Sequence, residues 1–212
     1  MATGSRHLPR PRRLYAAAKR ALDLAASGLG LVLVSPLLLV AAIAVRLDSA
    51  GPILFRQTRV GRNFRPFSIY KFRTMSVDAP ARGGQITAGA DPRITSSGRW
   101  LRKSKIDELP QLFNVFLGDM SLVGPRPEVP KYVEMFHDEY AAVLTVRPGL
   151  TDPASVKYRD EAELLAAAAD PEQEYVQRIL PDKIALSHAY IERATLAGDL
   201  AILFRTLLRI AR

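Results

Sequence analysis
Two adjacent acids, Asp107 and Glu108, stand in otherwise basic sequence. Arg93, Arg99, Arg102, Lys103 and Lys105 lie between Asp91 and Asp107 with no acid among them. Arg56, Arg59, Arg62, Arg65, Lys71 and Arg73 fill the interval from Asp48 to Asp78, again without an acid. A carboxylate in such ground can attack phosphorus or hold a divalent cation, and the surrounding cations suit an anionic substrate. Pro110 is tolerated in a helix only in the first turn, so a helix is predicted to begin close to Asp107. There the carboxylate meets free backbone N–H groups and the positive helix end, which keep it ionised and also suit a phosphate. The plainer alternative makes Asp107 a helix cap and Glu108 a first-turn acid, and the pair alone leaves both open. Further on, Gly124-Pro125-Arg126-Pro127-Glu128 holds Arg126 between two prolines. Their fixed backbone partly preorganises the guanidinium for a bidentate phosphate or carboxylate; a structural turn with a solvated arginine is the alternative.

The elements that must position these groups begin with an apolar run. From Leu24 to Val45 the 22 residues carry no charged side chain. As one straight helix they would span about 33 Å, enough for a hydrocarbon core. No convincing small-residue cleavage site follows, so a signal peptide fits poorly. Ser35-Pro36 sits mid-run, where proline removes a donor and clashes with the preceding turn. Basic residues flank both ends: Arg6, Arg10, Arg12, Arg13, Lys19 and Arg20 before, Arg46, Arg56, Arg59, Arg62 and Arg65 after. The positive-inside tendency places both flanks in the cytoplasm. A re-entrant segment that breaks at Ser35-Pro36 and returns satisfies both observations, with Ser35 as partner for backbone groups freed at the bend. A single kinked crossing stays open beside it. At the other terminus Leu200, Leu203, Phe204, Leu207 and Ala211 follow helical spacing opposite Arg205, Arg209 and Arg212, as in a helix lying in the lipid interface or packing on a core.

The 212 residues carry net charge +9, a pI of about 10.1 and no cysteine. Disulfides, Cys-type zinc sites and thiol catalysis are therefore excluded. His7, His137 and His188 are scattered without metal-ligand spacing. The charge calls for an anionic partner: nucleic acid, an acidic lipid surface or a phosphorylated substrate. The expected fold is α+β and predominantly helical. It comprises a mobile basic N-terminus over 1–18, a re-entrant membrane helix over 19–46 and a membrane-associated catalytic domain over 47–212. Ile53–Val60 and Pro66–Met75 are predicted to form a small β-hairpin around Gly61-Arg62-Asn63, followed by a loop containing Gly83-Gly84. Helices are predicted near Ile94–Leu101, Asp107–Leu117, Val129–Val143, Ala162–Ala168, Glu172–Ile179 and Lys183–Arg212, the last interrupted near Gly198.

Several collinear stretches resemble the bacterial sugar transferases, the monotopic polyprenol-phosphate phosphoglycosyl transferases that start exopolysaccharide, O-antigen (lipopolysaccharide) and glycoprotein glycans. They are Lys71-Phe72-Arg73-Thr74-Met75, Asp91-Pro92-Arg93-Ile94-Thr95, Asp107-Glu108-Leu109-Pro110-Gln111-Leu112, the run from Gly118 to Glu128, and Arg147-Pro148-Gly149-Leu150-Thr151. The likeness covers Lys19 to the C-terminus and is to the minimal catalytic form. It implies a re-entrant helix broken at Ser35-Pro36 and a catalytic dyad of Asp107 and Glu108. In such enzymes the aspartate attacks the β-phosphate of a UDP-sugar, releases UMP and carries the phosphosugar to polyprenol (undecaprenyl) phosphate. Mg2+ is implied at the dyad, with Asp107 as its ligand, and Arg126, Lys71 and Arg73 fall on phosphate- or substrate-binding positions. The implied partners are a UDP-sugar, polyprenol phosphate and the phospholipid bilayer at the cytoplasmic face of the inner membrane; a homodimer is left open. Two departures stand out. Phe64 replaces a glycine common at the hairpin turn, and Asp152-Pro153-Ala154-Ser155 replaces a Gly-Trp-Ala-Gln type of sequence. A nucleic-acid binder has net charge alone in its favour, with no recognised motif and no aromatic stacking series, so no nucleic acid is expected. A non-catalytic membrane scaffold is the other rival.

Overall fold
The computed structural model of the chain describes residues 13–82, 86–87, 89 and 91–210. The expectations for residues 1–12, Gly83-Gly84, Ala211 and Arg212 lie outside them. Helix α1, Arg13–Asp48, is built from Ala and Leu, strong helix formers. It is the one described helix long and apolar enough to cross a membrane, and only 11% of its most apolar window is buried. The break expected at Ser35-Pro36 is absent: the backbone stays helical through both residues. The reason is local. Pro36 has no N–H to give the carbonyl of Val32, and the Ser35 hydroxyl donates to that carbonyl instead, at 2.8 Å.

Strands β1, Leu54–Val60, and β2, Pro66–Phe72, pair antiparallel from Leu54↔Phe72 to Val60↔Pro66. At the turn Asn63 and Phe64 both take left-handed backbone, φ 56 and 58. Phenylalanine is strained there, but its ring stacks on His137 with centroids 4.8 Å apart. The turn keeps the conformation a glycine would adopt, held by an aromatic contact.

Helices α2, Ser96–Lys103, and α3, Gln111–Leu117, follow, then β3, Ser121–Val123. The helix expected over Val129–Val143 is two, α4 (Pro130–Met135) and α5 (His137–Val143), divided at Phe136. Strand β4, Gly149–Thr151, pairs parallel with β3, and the two backbones approach so closely that a Cβ on Gly149 would lie 2.1 Å from the nitrogen of Gly124. Then come α6 (Pro153–Lys157), α7 (Glu161–Ala166), α8 (Pro171–Glu174), a π turn over Tyr175–Ile179, α9 (Leu180–Glu192) and α10 (Leu196–Ile210). The interruption between the last two falls at 193–195, just before Gly198. The fold is thus α+β and mostly helical, with a hairpin and a second, unforeseen sheet.

Both halves of α1 lie on the same body. Leu31 and Val34 pack beside Leu112, Val115 and Met120, whereas Ala41 and Val45 pack with Phe72 and Leu101. At one end Lys19 pairs with buried Asp199 of α10 at 2.7 Å; at the other Asp48 accepts from the backbone N–H of Ser97 at 2.9 Å. Between those anchors Leu29, Val32, Leu33, Leu39 and Val40 are exposed. In α10, Ile202 and Leu203 turn inward while Leu200, Phe204 and Leu207 stay exposed, so the helix both packs and presents an apolar stripe.

Candidate active site
The dyad is set by a tight turn rather than a helix end. Lys105, at φ 58, turns the chain out of α2 into a 3-10 turn over Ile106–Glu108, and α3 begins only at Gln111 with Pro110 at its N-cap. Asp107 therefore does not open or cap a helix, contrary to the expectation from Pro110. Its side chain is buried, 8% exposed, and Oδ1 has no hydrogen-bond partner. Burial is the main influence pushing its carboxyl upward and Glu108 adds to it, while Lys71, Arg102 and Lys105 pull the other way. A carboxylate with one buried oxygen free of hydrogen bonds is poised to attack or ligate.

Glu108 is its opposite. Oε1 accepts from Lys71 Nζ of β2 at 2.7 Å and from Arg126 Nη2 at 2.5 Å. Burial alone would raise its pKa, but Arg126 and Lys71 outweigh that and hold the carboxyl well below the usual range. It is thus tied to two cations, and its own charge raises the Arg126 pKa. Lys71 is pulled down chiefly by burial. The adjacent acids differ because one has taken the cations and the other has not.

Arg126 is held as its flanking prolines suggested, and by more than them. Its backbone N–H donates to Asp152 Oδ2 at 3.3 Å, and Asp152 Oδ1 accepts from the N–H of Ser155, capping α6. Glu128 is clamped by Arg59 at 2.8 Å and by the Tyr175 hydroxyl at 2.5 Å. Asp152, a departure from the family pattern, is therefore part of the frame behind Arg126.

Arg73 lines the same cavity as the dyad, but most of its guanidinium is turned to the exit of α1. Its guanidinium is buried and donates to the carbonyls of Pro52 and Ser49, both at 2.6 Å, and to the Ser49 hydroxyl at 2.8 Å, locking the exit of α1 to β2. Arg73→Ala should lower stability by about 3 kcal/mol, from carbonyls left without donors, and leave donor affinity unchanged in the folded fraction. Thermal unfolding and a donor titration would check both; a weakened donor with full stability would return Arg73 to the site. Sequence reasoning missed Arg102 as a site residue. Its Nε donates to Thr74 Oγ1 at 2.8 Å and its charge acts on Asp107. The signal available was its place in the basic run, five residues before Asp107. Ser35 and Pro36 are exposed and stand apart from the dyad, in the bare middle of α1.

A cavity of about 2540 Å3 joins these groups. Asp107, Glu108, Lys71, Arg102 and Arg126 line its charged part, and Leu33 of α1 with Leu203 and Leu207 of α10 line its apolar part. Among the described residues no three His, Cys, Asp or Glu side chains converge as a metal cage. A magnesium ion, which commonly takes one or two carboxylates and completes its shell with water and substrate phosphates, nevertheless fits the unpartnered Oδ1 of Asp107.

The sequence profile of the bacterial sugar transferase family matches residues 14–212. The chain is 40% identical over 200 residues to a UDP-N-acetylgalactosamine-undecaprenyl-phosphate N-acetylgalactosaminephosphotransferase of Aeromonas hydrophila, covering 93% of this chain and 44% of that protein. It is 41% identical over 198 residues to an undecaprenyl-phosphate glucose phosphotransferase of Komagataeibacter xylinus, covering 90% and 35%. A UDP-glucose:undecaprenyl-phosphate glucose-1-phosphate transferase of Caulobacter vibrioides is 42% identical over 202 residues, covering 93% and 71%. The chain thus spans less than half the length of the first two relatives.

Proposed function
This chain belongs to the bacterial sugar transferase family, and from that premise we propose that it moves a sugar-1-phosphate from a UDP-sugar to polyprenol (undecaprenyl) phosphate, releasing UMP. The observation that carries the reading is the Asp107 carboxylate, buried with Oδ1 unpartnered, beside cations in a cavity with an apolar wall. Oδ1 attacks the β-phosphorus of the donor. The new bond joins aspartate to phosphorus, the bond to the oxygen of the UMP phosphate breaks, and UMP leaves with that electron pair. A phosphate oxygen of the polyprenol carrier then attacks the same phosphorus, displacing the Asp107 carboxylate and giving the polyprenyl-diphospho-sugar. Splitting the transfer avoids bringing two anionic phosphates together in one step. Arg126 and Lys71, fixed by Glu108, orient the phosphates, and Arg102 screens the charge of Asp107. A bound Mg2+ would supply neutralisation of the diphosphate and of the leaving UMP. The apolar part of the cavity suits the polyprenol chain. Incubating membranes that carry the protein with a series of UDP-sugars should release UMP with at least one of them; none with any would end this reading.

The contacts of α1 favour an unbroken helix that enters the bilayer with its exposed apolar middle alone and keeps both ends on the same side. Both ends are tied to one body, through Lys19–Asp199 and Asp48–Ser97, and the exposed apolar middle lies between. A true crossing would pull one anchor off. The basic flanks put that body at the cytoplasmic face of the inner membrane. Because the chain has no cysteine, single cysteines report cleanly. Placed at exposed Ala17 and Ala50, both should resist a membrane-impermeant thiol reagent in intact cells and react after lysis. Labelling of one alone in intact cells would mean a crossing.

A further inference from the structure
Strand β3 has a cavity on each side. Leu122 and Leu150 face the dyad cavity, while Ser121 and Val123, alternating with Leu122 along β3, line a second cavity of about 450 Å3. Its other walls are the first turns of α1, the hairpin turn, the segment from Thr145 to Arg147 and the end of α9. Four cations line it, Arg13, Lys19, Arg62 and Arg147, and no acid among the described residues does. Lys19 is committed to Asp199. The side chains of Arg13 and Arg62 are exposed and make no hydrogen bond or ion pair among the described residues. Arg147 anchors Nε on the carbonyl of Gly118 at 2.8 Å, and burial, with Arg20 and Arg62 adding, disfavours its charge. The nearest acid of α1, Asp23, is spent on the Ser121 hydroxyl and the N–H of Leu122 at 3.1 and 3.0 Å. Three arginines from three separate elements thus line a concave site whose nearest acids, Asp199 and Asp23, are already bound behind its wall.

The place of the cavity selects the anion. Arg13 and Lys19 precede the apolar run of α1, which begins at Leu24, so with the middle of α1 in lipid the mouth lies at headgroup depth. The carrier's reacting phosphate must reach Asp107 in the other cavity, across β3, which leaves this cavity for another phosphate. We propose that the second cavity binds the phosphate of one anionic phospholipid headgroup, held by Arg13, Arg62 and Arg147. Basic pockets on the cytoplasmic side of membrane helices take such headgroups. The inference rests on the membrane placement of α1 proposed above. Since Gly124, the residue after β3, lines the cavity and leads directly to Arg126, the lipid would sit behind the catalytic loop.

The test is a titration of purified protein in neutral detergent with short-chain phosphatidylglycerol, short-chain phosphatidylcholine and glycerol 3-phosphate, read as bound copies by native mass spectrometry. One saturable phosphatidylglycerol per chain is expected, with no saturable phosphatidylcholine. Arg13→Gln with Arg62→Gln should weaken it at least tenfold and leave the basal UMP release unchanged. Arg65→Gln with Arg205→Gln removes the same charge from exposed positions that do not line the cavity and should leave binding intact. Equal loss in both pairs, no loss in the first, or equal binding of the two lipids would overturn the site. Displacement by equimolar glycerol 3-phosphate would overturn the lipid as its source. Wild-type protein that binds phosphatidylglycerol in this way yet releases no UMP would sink the transferase reading and leave this one standing; UMP release without lipid binding does the reverse.

Discussion

Arg126→Lys is expected to cut kcat/KM for the UDP-sugar at least tenfold, a loss of about 1.4 kcal/mol. One nitrogen of the guanidinium, Nη2, is already bound to Glu108 Oε1, and no hydrogen bond among the described residues occupies the other two. The side chain is about one-third exposed, at 36%, and lines the cavity, so those two nitrogens remain for a phosphate oxygen. A lysine can hold Glu108 or reach the phosphate from this backbone position, but has no fork with which to do both. The backbone should not feel the change. Pro125 and Pro127 flank the residue, its N–H still meets Asp152, and Lys71 keeps Glu108 paired. The unfolding temperature should therefore stay put while kcat/KM drops. Wild-type kinetics would take the guanidinium away from the reacting phosphate; a parallel fall in stability would make it a structural tie like Arg73.

The contrast between these two arginines shows where sequence reading stops. Both sit in family motifs among other cations, and nothing in residue type separates them. Arg73 is spent on the carbonyls of Pro52 and Ser49 because β2 runs beside the exit of α1, a tertiary fact. The hairpin was legible because its turn residues and strands are local, and its boundaries came within a few residues. The β3–β4 pair was not: two three-residue strands 28 positions apart from Ser121 to Gly149 leave no periodicity to read. Pro110 rightly marked a helix start nearby, but the left-handed Lys105 and the 3-10 turn after it moved that start beyond the dyad. Likewise proline at 36 foretold a lost hydrogen bond, and the Ser35 hydroxyl replaced it without a break in the helix. In each case the local chemistry was read correctly and a neighbour decided its outcome.

The largest effect is expected at Asp107. In Asp107→Asn, UMP release should fall about 10^6-fold or to background, the scale seen when a covalent nucleophile is removed. The structure also says what should happen to folding. Asp107 caps no helix and its Oδ1 accepts no hydrogen bond, so the substitution deletes a buried charge without breaking a bond at that oxygen. Burial already disfavours that charge. Removing it should leave the unfolding temperature unchanged or raise it, since an unpaired buried carboxylate costs stability. A structural aspartate would behave differently, with stability and activity falling together. The chemistry itself can be caught by offering a UDP-sugar labelled in the β-phosphate without any polyprenol phosphate, quenching rapidly and mapping the labelled peptide by mass spectrometry. Oδ1 of Asp107 is unpartnered and Asp107 lines the cavity, whereas Glu108 is held by two cations. The label should therefore sit on Asp107 and not on Glu108, and it should leave when the acceptor is added. Active enzyme that carries no adduct in any rapidly quenched sample would mean direct transfer between donor and carrier, with Asp107 reduced to holding the cation.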